Sequence, residues 1–207
     1  MRAQRGDSDV TKAEILKAAR KLFAAQGILA VSVRDVAKEA GVTHGLVHHY
    51  FGTKEQLTEE VIRREVTFGG EVLLSNPIDA SADSLEVMRQ VLRMFLTEAN
   101  SSAMLLARAE LTGFEPEKMM PEDHPTALRI MAQRFAELQE QMKPDVPHKD
   151  PALVSVFLGA AVFGLITMHP WLMAAADLRP EDYESRIDEL VDIAIGFLAA
   201  ALEMRSA

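Results

Sequence analysis

The chain has no cysteine among its 207 residues. Disulfide bridges and thiolate zinc sites are therefore excluded, and the composition suits a reducing cytoplasm. The first residues, Met1 to Asp9, are polar and charged with no apolar run behind them, so a cleaved secretory leader is not expected. No segment alternates apolar and polar residues in a sustained way, and no Asn-Gly or Asp-Gly pair marks a hairpin, which argues against sheet. Internal repeats and low-complexity tracts are missing. So are a catalytic triad arrangement, a glycine-rich phosphate loop, an HExxH pair and a framed pair of carboxylates. No enzymatic activity and no cofactor are expected. Long uncharged runs are nearly missing as well. The exception is Ala152–Met168, ALVSVFLGAAVFGLITM, 17 residues without a charge. That length is at the short limit for a membrane span. A buried helix in a helical core reads the same way, and no second span or basic flank favours the membrane.

What remains is ordinary globular composition, 48% hydrophobic and 26% charged, with enough chain for one large domain or two unequal ones. The net charge of −9 is unevenly spread. Residues 1–65 hold 11 Lys+Arg against 9 Asp+Glu, and residues 66–207 hold 11 against 22. The first part is thus +2 and the second −11, an asymmetry that fits a nucleic-acid module attached to something else.

The chain reads as all-α. A first helix is expected from Thr11, which with Glu14 makes a T-x-x-E capping box. Ile15, Leu16, Ala19, Leu22 and Phe23 give it an apolar stripe, and Gly27 ends it. Ser32 caps a short second helix, with Asp35 at its third position, and Gly41 stops it. Thr43 caps a third helix that runs to about Phe51. Thr53 and Gln56 open a long fourth helix through about Leu74. After Asn76-Pro77 and the polar run Asp79–Asp83, further helices are expected at about 84–101, 103–113, 125–142, 150–168 and 180–205.

Ser32 to Phe51, SVRDVAKEAGVTHGLVHHYF, is two short capped helices joined by a tight turn containing glycine, the helix-turn-helix layout. Ala37 and Ala40 are small enough for close helix packing. Val42, Val47 and Phe51 point inward, with Tyr50 partly exposed. The second helix is rich in groups that can both donate and accept hydrogen bonds: His44, His48, His49 and Tyr50. Such side chains suit phosphate oxygens and base edges. Gly45 permits close backbone approach, and the helix N-terminus offers free N–H groups to phosphate. Lys54, Arg34, Lys12 and Lys38 supply cations nearby. His44 and His48 also stand four apart, the spacing of two metal ligands on one helix face. No acidic third ligand follows at a telling interval, so histidines facing DNA or solvent are preferred and no resident metal is expected.

The segment Gly41–Leu57, GVTHGLVHHYFGTKEQL, resembles the signature of the TetR family of bacterial transcriptional repressors. Gly41, Val42, Gly45, Phe51, Lys54, Glu55 and Leu57 match it outright, and Thr43, Val47 and Thr53 are close substitutes. Ile15–Gly27, ILKAARKLFAAQG, resembles the family's first helix. His48 stands where the family usually has Tyr, and Tyr50 where it usually has His, which leaves DNA binding intact and puts the operator sequence in question. The resemblance implies DNA contacts at Arg34, Thr43, His44, Gly45, Leu46, His48, His49, Tyr50 and Lys54. It implies a helix-turn-helix three-helix bundle over residues 1–56, joined by a long helix to an effector-binding and dimerisation domain over 57–207. The expected partners are a palindromic duplex operator, a small apolar or amphipathic effector and a second copy of the chain; no membrane is expected.

The residues support the second domain independently. Leu153, Phe157, Ala160, Ala161 and Gly164 carry one apolar stripe, while Val156, Val162, Phe163 and Ile166 extend around the cylinder. Leu190, Ile193, Ala194, Phe197, Leu198 and Ala201 do the same on the last helix. Helices apolar on two sides can serve a core and a partner together, and two from each of two subunits make a four-helix interface through about 150–168 and 180–205. The small residues Gly159, Ala160, Ala161 and Gly164 are expected to permit close packing there. A wholly intramolecular core is the alternative. Candidate effector contacts are Met88, Met94, Phe95, Met104, Met131, Phe135, Phe163, Met168 and Trp171, although Met and Phe at helical spacing also build plain core. His124, His148 and His169 read as structural or solvent-facing.

Overall fold

The computed structural model of the protein describes residues 2–75, 84–98, 100–120, 126–142 and 149–201. Among them there is no strand. The helices are α1 (Arg2–Gln26), α2 (Val33–Glu39), α3 (His44–Phe51), α4 (Lys54–Ser75), α5 (Ser84–Glu98), α6 (Asn100–Leu111), α7 (Pro116–Met119), α8 (Ala127–Met142), α9 (Pro151–Ala175) and α10 (Ile187–Ala201). The chain packs as two units: the described residues of 1–66 with 104–121, and those of 67–103 with 122–207. The Asn76-Pro77 break, the run 79–83, the Pro144–Pro147 break, His124 and His148 lie outside the described residues.

The first unit forms around Ile15, Leu16, Ala19 and Phe23 of α1, all buried as their spacing predicts. Val36 and Ala37 of α2 and Val47 and Phe51 of α3 join them. Each large apolar side chain so buried contributes roughly 1.5–3 kcal/mol. The core also takes Leu57, Val61 and Ile62 of α4, Leu105 and Ala109 of α6, and Met119 of α7. A boundary at 56/57, as expected from the sequence, therefore cuts through this core. Three further apolar residues of α4 complete it, and a segment some 50 positions later along the chain adds two more helices. Neither contribution has a local signal. Arg108 on α6 is one reason that segment belongs here: its Nη1 donates to the carbonyls of Phe23 (3.0 Å) and Ala24 (2.6 Å) at the end of α1, where helix carbonyls lack helical donors.

The start of α1 differs from expectation. The helix begins at Arg2, so Thr11 lies inside it and is no cap. A T-x-x-E pattern is as compatible with a helix interior as with a start when no breaker precedes it. The later caps form as read. The Ser32 hydroxyl accepts from the Asp35 N–H (3.2 Å) and the Asp35 carboxylate from the Ser32 N–H (2.9 Å). Thr53 and Gln56 make the same reciprocal pair at 3.2 and 3.0 Å.

In the second unit the core gathers Leu73, Met88, Leu92, Leu96, Ile130, Met131 and Phe135 with Leu158 and Ile166 of α9 and Ile187, Val191, Ile195 and Leu198 of α10. α9 does not stop before Pro170 but continues through it to Ala175. The proline lies on an exposed side, while Ile166 and Met173 are buried on either side of it. That burial holds the helix together across the lost hydrogen bond. Residues 180–186, expected to open the last helix, form two short 3-10 turns instead, Pro180–Asp182 and Glu184–Arg186. Arg179 grips Asp182 there with Nε and Nη2 at 3.0 and 2.8 Å.

The two apolar sides of α9 and α10 are real and unequal. Ser155, Leu158, Ile166 and Met173 of α9 are buried, whereas Leu153, Val156, Phe157, Met168, Trp171 and Leu172 are exposed. On α10, Ile193 and Phe197 are exposed at 57% and 68%. Gly159 corrects one expectation: a Cβ there would stand 2.8 Å from Leu128, so its smallness admits α8 within the same chain. Ala160 and Ala161 are exposed.

Candidate nucleic-acid interface

α2 and α3 are positioned by their turn. Gly41 takes φ +68°, a left-handed conformation that costs other residues ~1–2 kcal/mol. The turn closes with Val42 N–H donating to the Ala37 carbonyl at 2.9 Å. The Thr43 hydroxyl then accepts from the Leu46 N–H at 3.3 Å and starts α3. At the far end Gly52, φ +72°, ends the helix with its N–H on the His48 carbonyl at 2.8 Å.

α3 divides cleanly by face. Val47 and Phe51 are buried at 1% and 8%. Leu46 and Tyr50 are half-buried, Tyr50 packing against the first core. Thr43, His44, Gly45, His48 and His49 are exposed. The polar face predicted from the sequence is thus one continuous surface beginning at the helix N-terminus, where the first N–H groups have no acceptor within the helix.

The cations are placed less uniformly. Arg34 is exposed on α2. Lys54 is half-buried and donates to the Leu29 carbonyl at 3.3 Å. It therefore braces the loop between α1 and α2 beside α3. Lys12 sits over the Phe51 ring, 5.7 Å from its centre, and 4.0 Å from Glu60. Lys38 is exposed near Asp35, whose carboxyl is held below its usual value by the hydroxyl and then the backbone N–H of Ser32. Glu55 at the start of α4 is lowered likewise, by its own backbone N–H and then by the Thr53 hydroxyl. These anions stabilise the helix starts that set the reading surface.

The histidines form an arrangement the sequence only hints at. His44 Nε2 and His48 Nε2 are 3.1 Å apart, and His48 Nδ1 meets the Gly52 carbonyl at 2.5 Å. A carbonyl only accepts, so His48 Nδ1 carries the proton and its Nε2 presents a lone pair. His49 makes an edge contact with Tyr50. Among the described residues no group of three or more His, Asp or Glu side chains is placed to hold a metal ion.

Of the candidate effector contacts, Met88, Met131 and Phe135 lie in the second core and Phe95 packs against it. Met94 is half-buried, and Met104, also half-buried, belongs to the first unit. Phe163, Met168 and Trp171 are exposed on α9. His169 is half-buried and stacks on Tyr183 at 4.1 Å. The Tyr183 hydroxyl is raised above its ordinary value, chiefly by burial.

Residues 15–61 match the profile of the bacterial regulatory proteins of the tetR family. The chain is 32% identical over 178 residues to the HTH-type transcriptional repressor Rv3405c of Mycobacterium tuberculosis, covering 86% of this chain and 79% of that one. It is 46% identical over 50 residues to the HTH-type transcriptional repressor KstR2 of Mycolicibacterium smegmatis, 24% of each chain. Among solved structures, Salmonella enterica GusR superposes with a TM-score of 0.68 at 18% identity, over 93% of this chain and 95% of that one. The fatty acid degradation regulator FadR from Bacillus halodurans gives 0.68 at 18%, over 89% and 97%. These two share the fold.

Proposed function

Since the chain belongs to the TetR family and is a transcriptional regulator, we propose that it acts in the cytoplasm as a homodimeric repressor of a palindromic operator, released by a small apolar or amphipathic effector. The observation that carries this reading is the division of α3. Its buried side is anchored by Val47 and Phe51, and its exposed side leaves His44, Gly45, His48 and His49 free to meet a duplex. Leu46 and Tyr50 flank that surface, Arg34 adds a cation from α2, and Lys54 acts mainly by holding the Leu29 loop.

Dimerisation follows from the reach of such a helix. One short helix reads too few base pairs, and two copies spaced about 34–36 Å apart fit successive major grooves. The outward apolar sides of α9 and α10 supply a self-complementary surface. Phe157 and Trp171 are 71% and 75% exposed, and contiguous apolar exposure of this kind marks an interaction surface. α9 is also long and apolar enough to cross a membrane by length and composition. A four-helix interface accounts for that exposure without one. Phe163, Met168 and Trp171 are assigned to this face, and Met88, Met94, Phe95, Met131 and Phe135 remain the candidates for effector contact in the second unit.

Release is a population shift: an effector that binds one conformation of the dimer more tightly by a few kcal/mol moves the equilibrium away from the operator-bound one. Unchanged operator affinity at saturating effector refutes this part.

Selection of bound sequences from a random duplex library tests the reading. A palindromic product with two half-sites is expected; failure to enrich any sequence refutes it. The recovered duplex should be lost steeply as salt rises, and His48→Ala with Lys54→Ala should abolish its binding.

A further inference from the structure

The His44–His48 pair does more than line a reading surface. The two residues are one turn apart on α3, both exposed, with their Nε2 atoms 3.1 Å apart. At the usual metal–imidazole distance of ~2.0–2.1 Å, two nitrogens at that separation reach a single ion at an angle of about 95–102°. That angle lies between a cis pair of an octahedron and the tetrahedral value. The hydrogen bond from His48 Nδ1 to the Gly52 carbonyl fixes the tautomer that leaves Nε2 available. It is also the outer contact that metal-bound imidazoles regularly make. His44 needs only to move its proton from Nε2 to Nδ1, an exchange through water, so a neutral pair takes up an ion with no net proton release.

We propose that His44 and His48 form a two-imidazole chelate for a divalent transition ion of the Ni2+, Cu2+ and Zn2+ class, and that this ion and duplex DNA compete for the same nitrogens. Imidazole favours these ions over Mg2+ or Ca2+. Among the described residues no third side chain is placed to ligate, so water completes the coordination. The site is therefore labile, suited to sensing and not to permanent occupancy. The chelate itself does not depend on the regulator reading; the competition with DNA does. An ion between the rings occupies both Nε2 atoms, so neither can pair with a base edge.

Titration of the full chain with Ni2+ by calorimetry, in a buffer without chelating amines, tests the site. The wild type should take up one more Ni2+ per chain than His44→Gln or His48→Gln. With Cu2+, its paramagnetic resonance spectrum should carry hyperfine structure from two imidazole nitrogens. Equal uptake by the wild type and the double variant overturns the proposal. In a second arm the wild type is bound to the duplex recovered by selection. Added Ni2+ should weaken binding roughly tenfold, the scale of one lost base contact, and EDTA should restore it. Unchanged affinity with the site loaded overturns the competition. If no duplex is bound even without metal while Ni2+ uptake persists, the regulator reading fails and the chelate stands.

Discussion

Replacing Arg108 with Met should weaken the first unit by about 2 kcal/mol, and the reasoning comes from one end of one helix. The last carbonyls of α1 have no donors within the helix. The Phe23 carbonyl receives the Gly27 N–H at 3.0 Å, and the half-buried Arg108 guanidinium supplements it and serves Ala24 at 2.6 Å. A hydrogen bond to a charged donor is worth ~1.5–3 kcal/mol, and a cation at a helix C-terminus adds ~0.3–1 kcal/mol. Nη1 is shared between two acceptors, which keeps the expected loss near the lower end. In a chain of this length it corresponds to a fall of about 4–8 °C in melting temperature. Methionine keeps the length and apolar contact of the stem, so the change isolates the guanidinium. Urea unfolding followed by circular dichroism at fixed chain concentration measures the loss. Amide exchange at Gly27 locates it, because that N–H closes the same turn. Arg108→Lys should recover part of the difference, keeping the charge without the planar fork. A loss below about 0.5 kcal/mol for Arg108→Met, or unchanged exchange at Gly27, refutes the assignment of α6 as the clasp on α1.

Other substitutions probe the reading surface and the outer face. Gly41→Ala and Gly52→Ala both force a left-handed conformation, at ~1–2 kcal/mol each. Gly52→Ala should cost more, because a Cβ there collides with the Gln56 side chain that caps α4; equal melting temperatures contradict this. Asp35 has a folded pKa lowered below its ordinary 3.8, so its stabilisation is complete above that value and lost as pH falls through the folded one. The urea midpoints of the wild type and Asp35→Asn should differ at neutral pH and converge in acid, and a constant gap would remove the carboxylate from the cap. Phe157→Glu with Phe197→Glu, both on exposed positions, should leave the helical spectrum intact and turn the proposed dimer into monomer in sedimentation equilibrium. A persistent dimer would place the interface elsewhere.

The candidate surface was largely legible before the fold. Short-range rules decide it: a capping box at Ser32 and Asp35, a glycine where the turn needs φ +68°, and Val47 and Phe51 spaced to point away from the histidines. Each depends on residues within four positions, where backbone sterics and hydrogen bonding dominate. The start of α1 is not legible because a capping pattern inside a helix is silent, nor is the end of α9, because burial of Ile166 and Met173 outweighs a single exposed proline.

The amino-acid sequence by itself determined the all-helical class, the helix-turn-helix, the family and the unequal charge of the two parts, since these follow from periodicity, caps and composition. The tertiary structure alone decided which apolar side of α9 is core and which is bare, because both sides are equally apolar and only contacts distinguish them. It alone returned the described residues of 104–121 to the first unit through Leu105, Ala109 and Arg108. It alone set His44 and His48 nitrogen to nitrogen: spacing on a helix offers that pairing, and rotamers and the Gly52 carbonyl select it.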